Sequence, residues 1–202
     1  TYQRKLEEKR KEVREEILDL KVLDPAMGSG HFLVEATEKL ANSIASLEEE
    51  FSPEEEEEPT AKETKKEDTV KELKRQIVER SIYGVDKNPL ATELAKLSLW
   101  LHTVAKGEPL SFLDHHLRTG DSLIGIDIEE MKTMPSEREQ MAGLFTSNLV
   151  QDLGKAIGHL NLIEEITSQS RDDVQEKKTE WKVVRNWIDK YKKAANVRLS
   201  TS

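Results

Sequence analysis

Asp24-Pro25-Ala26-Met27-Gly28-Ser29-Gly30-His31-Phe32-Leu33 is the stretch that decides how this chain is read. It follows a short β-prone run, Lys21 to Asp24, and its proline and two glycines suit only a turn or loop. After Gly30 the pattern becomes helical. Leu33, Leu40, Ile44 and Leu47 share one face of a helix predicted to end near Leu47. Gly28 and Gly30 leave room for a ligand to approach the backbone, and the N–H groups opening the helix favour an anionic group. Taken alone, Gly-Ser-Gly is also compatible with a tight β-to-α turn that binds nothing.

Working outward, Tyr2 to Leu20 reads as an amphipathic helix carrying Leu6, Val13, Ile17 and Leu20. Downstream, Glu48 to Asp68 contains Pro53, Pro59 and the unbroken acids Glu54 to Glu58, and is expected to be a disordered or mobile surface insertion. A short helix with Val70, Leu73 and Ile77 precedes a second strand, Ser81 to Asp86. Asn88 then caps a helix opened by Pro89 and closed by Gly107 and Pro109, with Leu90, Leu94, Leu97, Leu101 and Val104 as its expected buried side. A third short strand or loop is placed around Leu117 to Asp121. Beyond the capping-box spacing Ser136 to Glu139 the chain reads as a helical hairpin. Its first helix carries Met141, Leu144, Leu149, Leu153, Ile157, Leu160 and Ile163; its second starts near Ser170 and carries Trp181, Val184, Ile188 and Tyr191. The expected organisation is an N-terminal helix (1–20), an α/β core (21–130) with its acidic insertion (48–68), and the hairpin (131–202).

The 202 residues are 36% hydrophobic, 35% charged and 5% aromatic, which fits one helix-rich domain with an appendage. No apolar run reaches the roughly 20 residues of a membrane span, and Thr1-Tyr2-Gln3-Arg4-Lys5 shows no secretory h-region, so the expected location is cytoplasmic. Without cysteine there is no disulfide framework or thiolate metal site. His115 and His116, expected on a strand, would point to opposite faces, so no metal is assigned. His31 reads as a solvent-facing first-turn residue, and Trp100, Trp181 and Trp187 read as helix-packing residues. A formal charge of −9 is unexpected for a complete DNA-binding protein, so whatever would grip nucleic acid is expected outside this segment.

Two further motifs repeat the carboxylate-at-strand-end pattern. Tyr83-Gly84-Val85-Asp86-Lys87-Asn88-Pro89 places Asp86 where an acid accepts hydrogen bonds from ribose hydroxyls in nucleotide-binding βαβ units, and a helix-terminal acid would look the same. In Phe112 to Gly125, Gly120 and Asp121 would end the third strand. The three acids Asp24, Asp86 and Asp121 are then expected at the C-terminal edge of one parallel sheet, where ligands bind in this fold class.

DPAMGSGHFL, SIYGVDKNPLATELAKLSLWLHT and FLDHHLRTGDSLIG together resemble, in this order, motifs I to III of the adenine-specific DNA methyltransferases of restriction-modification systems, especially the large fused type IIG enzymes. The resemblance spans Val22 to Gly125. It implies a Rossmann-like S-adenosylmethionine-dependent methyltransferase fold and double-stranded DNA as substrate of the intact protein. It also implies roles: Asp24, Pro25, Ala26, Met27, Gly28, Ser29 and Gly30 around the methionine moiety, Asp86 on the ribose, Asp121 on the adenine amino group, and Leu123 or a neighbour near the ring. The catalytic Asn/Asp-Pro-Pro-Tyr/Phe motif of the family is absent; Asn88-Pro89-Leu90 has one proline and no aromatic. The expectation is therefore a fragment with no catalytic residue of its own, which binds cofactor without methylating. A sheet stopped after its third strand leaves an edge and apolar faces through which it could self-associate. These residues leave open adenine N6 or cytosine N4, an RNA or protein acceptor, and a non-catalytic scaffold with a degenerate methyltransferase fold.

Overall fold

Val22–Asp24, Ile82–Asp86 and Leu117–Thr119 form strands β1, β2 and β3, paired in parallel in the order β1-β2-β3. The register sets Asp24 opposite Gly84 and Asp86 opposite Thr119. Helices α1 (Tyr2–Leu18), α2 (His31–Glu50), α3 (Pro59–Arg80) and α4 (Pro89–Thr103) surround these strands in the first of two units, Thr1–Gly120; the second, Asp121–Ser202, contains α5 (Glu139–Glu165) and α6 (Arg171–Thr201). The computed structural model describes residues 2–50, 59–103, 111–125, 139–166, 168 and 170–201. The chain is thus α/β, mostly helical, with one small parallel sheet. Among the described residues, no helix is long and apolar enough to cross a membrane and no group of three or more His, Asp or Glu is placed to hold a metal.

The core of the first unit gathers Leu18, Leu33, Ala41, Ile44, Leu73, Ile77, Ile82, Leu99 and Leu117. Strand residues alternate between faces, as a two-residue period requires: Ile82, Gly84 and Leu117 are buried, whereas Leu23 is 59% exposed. On α2 the buried side is Leu33, Thr37, Ala41 and Ile44, with Leu40 and Leu47 only half-buried. Thr37 is accommodated because its hydroxyl donates to the Leu33 carbonyl at 2.7 Å. The first helix ends at Leu18, not Leu20. Leu18 is fully buried and its carbonyl accepts from the Ser81 hydroxyl at 2.7 Å, while Leu20 lies in the exposed link to β1. Arg80 on α3 reinforces this joint by pairing with Glu15 of α1 and with Asp19 just beyond its end.

Three expectations are corrected here. The acidic stretch is not irregular throughout, since α2 continues to Glu50 and α3 already begins at Pro59, the residue type whose fixed φ suits a first helical turn; residues 51–58, including Pro53 and Glu54 to Glu58, lie outside the described residues. On α4 the buried positions are Thr92, Ala95, Leu99 and Thr103, whereas Leu90, Leu94, Leu97 and Leu101 point outward, with Leu90 64% exposed. Both sets have helical spacing, so periodicity alone does not choose between them. The first loop decides: a Cβ on Gly30 would lie only 3.1 Å from the Ala95 Cβ, and a leucine face has no room there. Val104, Gly107 and Pro109 lie outside the described residues. Third, His115 and His116 occupy a turn ahead of β3, so their rings meet at 4.1 Å, with His115 stacked on Phe112 and His116 against Tyr83.

The start of α4 is as expected, with the Leu90 N–H donating to Asn88 Oδ1 at 3.0 Å. In the second unit, Ser170 and Asp173 cap α6 reciprocally: the Asp173 N–H donates to Ser170 Oγ and the Ser170 N–H to Asp173 Oδ2. Trp181, Val184 and Tyr191 are buried on α6 and Leu149, Ala156 and Ile163 on α5, while Ile157, expected inside, is 57% exposed. Polar ties join the two helices: the Tyr191 hydroxyl donates to Asp152 at 2.8 Å, and His159 pairs with Glu180. Ser136 lies outside the described residues, as do the side chains of Met141 and Leu144.

Gly84 is the tightest position in the sheet. A Cβ there would meet Met27 Sδ at 2.3 Å and Leu33 Cδ1 at 2.9 Å. Gly84→Ala should lower unfolding free energy by about 1–3 kcal/mol through overpacking. In denaturant titration, adding Met27→Ala should make the combined loss smaller than the sum of the two single losses.

Candidate functional site at the ends of the first two strands

The loop after β1 is built by its own backbone. Asp24 Oδ1 accepts from the Ala26 N–H at 3.0 Å, and the Met27 N–H reaches across to the Val85 carbonyl at 3.0 Å, extending the contact between the strands past β1. This draws the Met27 side chain into the core, over Gly84. The chain then reverses through Gly28 (φ 54°) and Gly30 (φ 83°), both in the left-handed region. The Gly30 N–H donates to the Met27 carbonyl and the Gly30 carbonyl accepts from Val34, starting α2. Asp86, at the end of β2, reaches the loop: its Oδ2 accepts from the Gly28 N–H at 2.9 Å and its Oδ1 from the Asn88 N–H at 2.8 Å.

The Asp24–Gly30 loop and Asp86 therefore belong to one constellation. Four loop amides, those of Ala26, Met27, Gly28 and Gly30, are satisfied within the protein. Two of their acceptors are carboxylates. Asp24 and Asp86 thus set two carboxylates at the loop, groups that accept from hydroxyl and amino donors. Asp86 retains acceptor capacity, since each carboxylate oxygen offers more than one lone pair. A Cβ on Gly28 would meet nothing within 4 Å, so the loop is open just beside that carboxylate. Ser29 Oγ lies 3.0 Å from Nδ1 of the exposed His31.

Asp121 and Leu123 belong to the second unit. The Asp121 carboxylate accepts from the Leu123 N–H at 3.1 Å in a local turn, and the Leu123 side chain is 93% exposed. Pro25 and Ala26 are exposed. Gly84 and Ala95 escaped the sequence reading as contributors, although both shape the loop. A glycine inside a strand was the available signal for the first; nothing in a leucine-rich helix marks the second.

Residues 2–111 match the DNA-methyltransferase domain of MmeI. This chain belongs to that family. The match runs from α1 through α4, so it contains the Asp24–Gly30 loop and Asp86 and stops before Asp121. A protein of Methanocaldococcus jannaschii, provisionally named as a type II restriction enzyme and methyltransferase, is 31% identical over 133 residues, covering 59% of this chain and 10% of that relative. The chain thus spans about a tenth of the curated relative it matches. No solved structure matches it.

The two hydrogen bonds to Asp86, from the Asn88 amide first and the Gly28 amide second, hold its carboxyl below the ordinary aspartate value of 3.8. A depressed carboxylate stabilises the folded loop above the unfolded-state pKa, and that contribution is lost as pH falls through the lowered value. Amide NMR signals of Gly28 and Asn88 should therefore shift on acidification with a midpoint below pH 3.8. Gly28→Ala should cost roughly 1–2 kcal/mol from backbone strain alone. Gly30→Ala should cost more, because its Cβ also meets Ala95, and thermal melts of the two variants read the difference.

Proposed function

We propose that this chain is the S-adenosylmethionine-binding part of a Rossmann-like DNA methyltransferase of a restriction-modification system, and that the intact protein methylates adenine N6 in double-stranded DNA. The observation that carries this reading is the hydrogen bond from Gly28 to Asp86, which holds a carboxylate acceptor beside an open, left-handed glycine. The parallel strand order and the family match over this loop support it. S-adenosylmethionine supplies an activated methyl group on a sulfonium, and its positive charge, ammonium and ribose hydroxyls suit a mouth lined by carboxylates. Asp86 would accept from the ribose hydroxyls, the Asp24–Gly30 loop would hold the methionine moiety, and Asp121 would accept from the adenine amino group with Leu123 near the ring. Catalytic groups for the target base are assigned to other parts of the intact protein, because the Asn/Asp-Pro-Pro-Tyr/Phe motif is absent from these 202 residues.

Calorimetric titration tests the reading. S-adenosylmethionine should bind saturably and NAD should not. Asp86→Ala should weaken binding by roughly ten- to a hundredfold, as expected for loss of charge-assisted hydrogen bonds. Folded protein that binds no S-adenosylmethionine, or an Asp86→Ala variant that binds as well as the parent, would remove the cofactor reading in favour of a scaffold.

A further inference from the structure

Although the chain as a whole has a formal charge of −9, residues 177–198 hold eight Lys and Arg against two Asp and Glu. One of those acids, Glu180, is engaged by His159 of α5. At 100° per residue, Arg171, Lys178, Lys182, Arg185, Lys192 and Lys193 fall within about 100° of arc on α6, and all six are exposed. The face that packs on α5 carries Trp181, Val184 and Tyr191 instead.

An ordinary solvated helix interleaves opposite charges, as α1 does where Arg4 meets Glu8 and Lys9 meets Glu12. The α6 arc does not. Lys178 and Lys182 are four apart and Lys182 and Arg185 three apart; of the five acids between Arg171 and Lys193, Asp189 alone falls on this arc. Like charges at these spacings repel, and an external polyanion would relieve that repulsion. From Arg171 to Lys193 the helix extends about 33 Å, close to one turn of B-form DNA at about 34 Å.

We propose that this face of α6 docks along the phosphate backbone of double-stranded DNA, holding the duplex without reading its sequence. The inference rests on the reading that the intact protein acts on DNA, and it departs from the expectation that nucleic acid is gripped only outside this segment. About five phosphate contacts imply that log K falls with log salt at a slope of about −4.5.

The test is fluorescence anisotropy of a labelled 20-base-pair duplex with the full 202-residue chain, from about 50 to 200 mM salt. Replacing Lys178, Lys182, Arg185 and Lys192 together by Gln, which keeps helix propensity, should flatten the slope to about −1 and weaken binding at least tenfold at the lowest salt. Replacing Arg4, Lys5, Lys9 and Lys11 by Gln changes net charge equally and should leave binding within about twofold. No duplex binding by the parent at low salt, equal losses in both variants, or preference for single-stranded RNA of equal length would overturn the proposal. Circular dichroism verifies the fold of both variants, and S-adenosylmethionine titration of the same preparations separates the two readings. Duplex binding without cofactor binding supports the α6 surface and removes the cofactor reading; cofactor binding without duplex binding does the reverse.

Discussion

The approach of the Asp24–Gly30 loop to the sheet and to α4 governs the rest of the first unit. Met27 lies over Gly84, and Gly30 lies against Ala95, each at a distance that leaves no space for one more carbon. Because interiors are packed at crystal-like density, such contacts fix position far better than a general tendency to bury apolar surface. They decide which face of α4 turns inward. They also hold the loop where Asp86 can accept from the Gly28 amide, so the candidate site follows from packing as much as from its own hydrogen bonds.

Functionally, the arrangement differs from the usual picture of a glycine loop that offers bare amides to a phosphate. Here Asp24 and Asp86 take up the amides of Ala26, Gly28 and Asn88, and the result is an electronegative rim. Those three amides are therefore already engaged within the protein and are not free to hold a phosphate at this turn. The exposed cations of α6 and the carboxylates at this loop give one chain two surfaces of opposite character.

Much of this was legible from residue types. The loop, the three strands, the Asn88 cap and the Ser170 start follow from proline, glycine, β-branched and capping residues whose preferences are local, and local preferences survive into the fold. The Asp24–Gly30 loop and Asp86 come together as their motifs suggested. What escaped was non-local. The outward turn of Leu90, Leu94, Leu97 and Leu101 depends on Gly30, about sixty residues earlier in the chain. The helical start at Pro59 was hidden by acidic composition, which reports solvation and not backbone conformation. The meeting of His115 with His116 depended on a turn where a strand had been expected.

The inward face of α4 carries one further implication. Its contact residues are Thr92, Ala95, Leu99 and Thr103, and its largest side chains face outward. Sequence change should therefore meet an inverted filter along this helix. Conspicuous leucines can drift toward polar residues at little cost to this fold, while the small, fully buried Ala95, set against Gly30, is the position where added volume costs most. A substitution ranking based on hydrophobicity would order this helix backwards, and the positions under strongest structural constraint would be the ones a reader of the sequence is least inclined to notice.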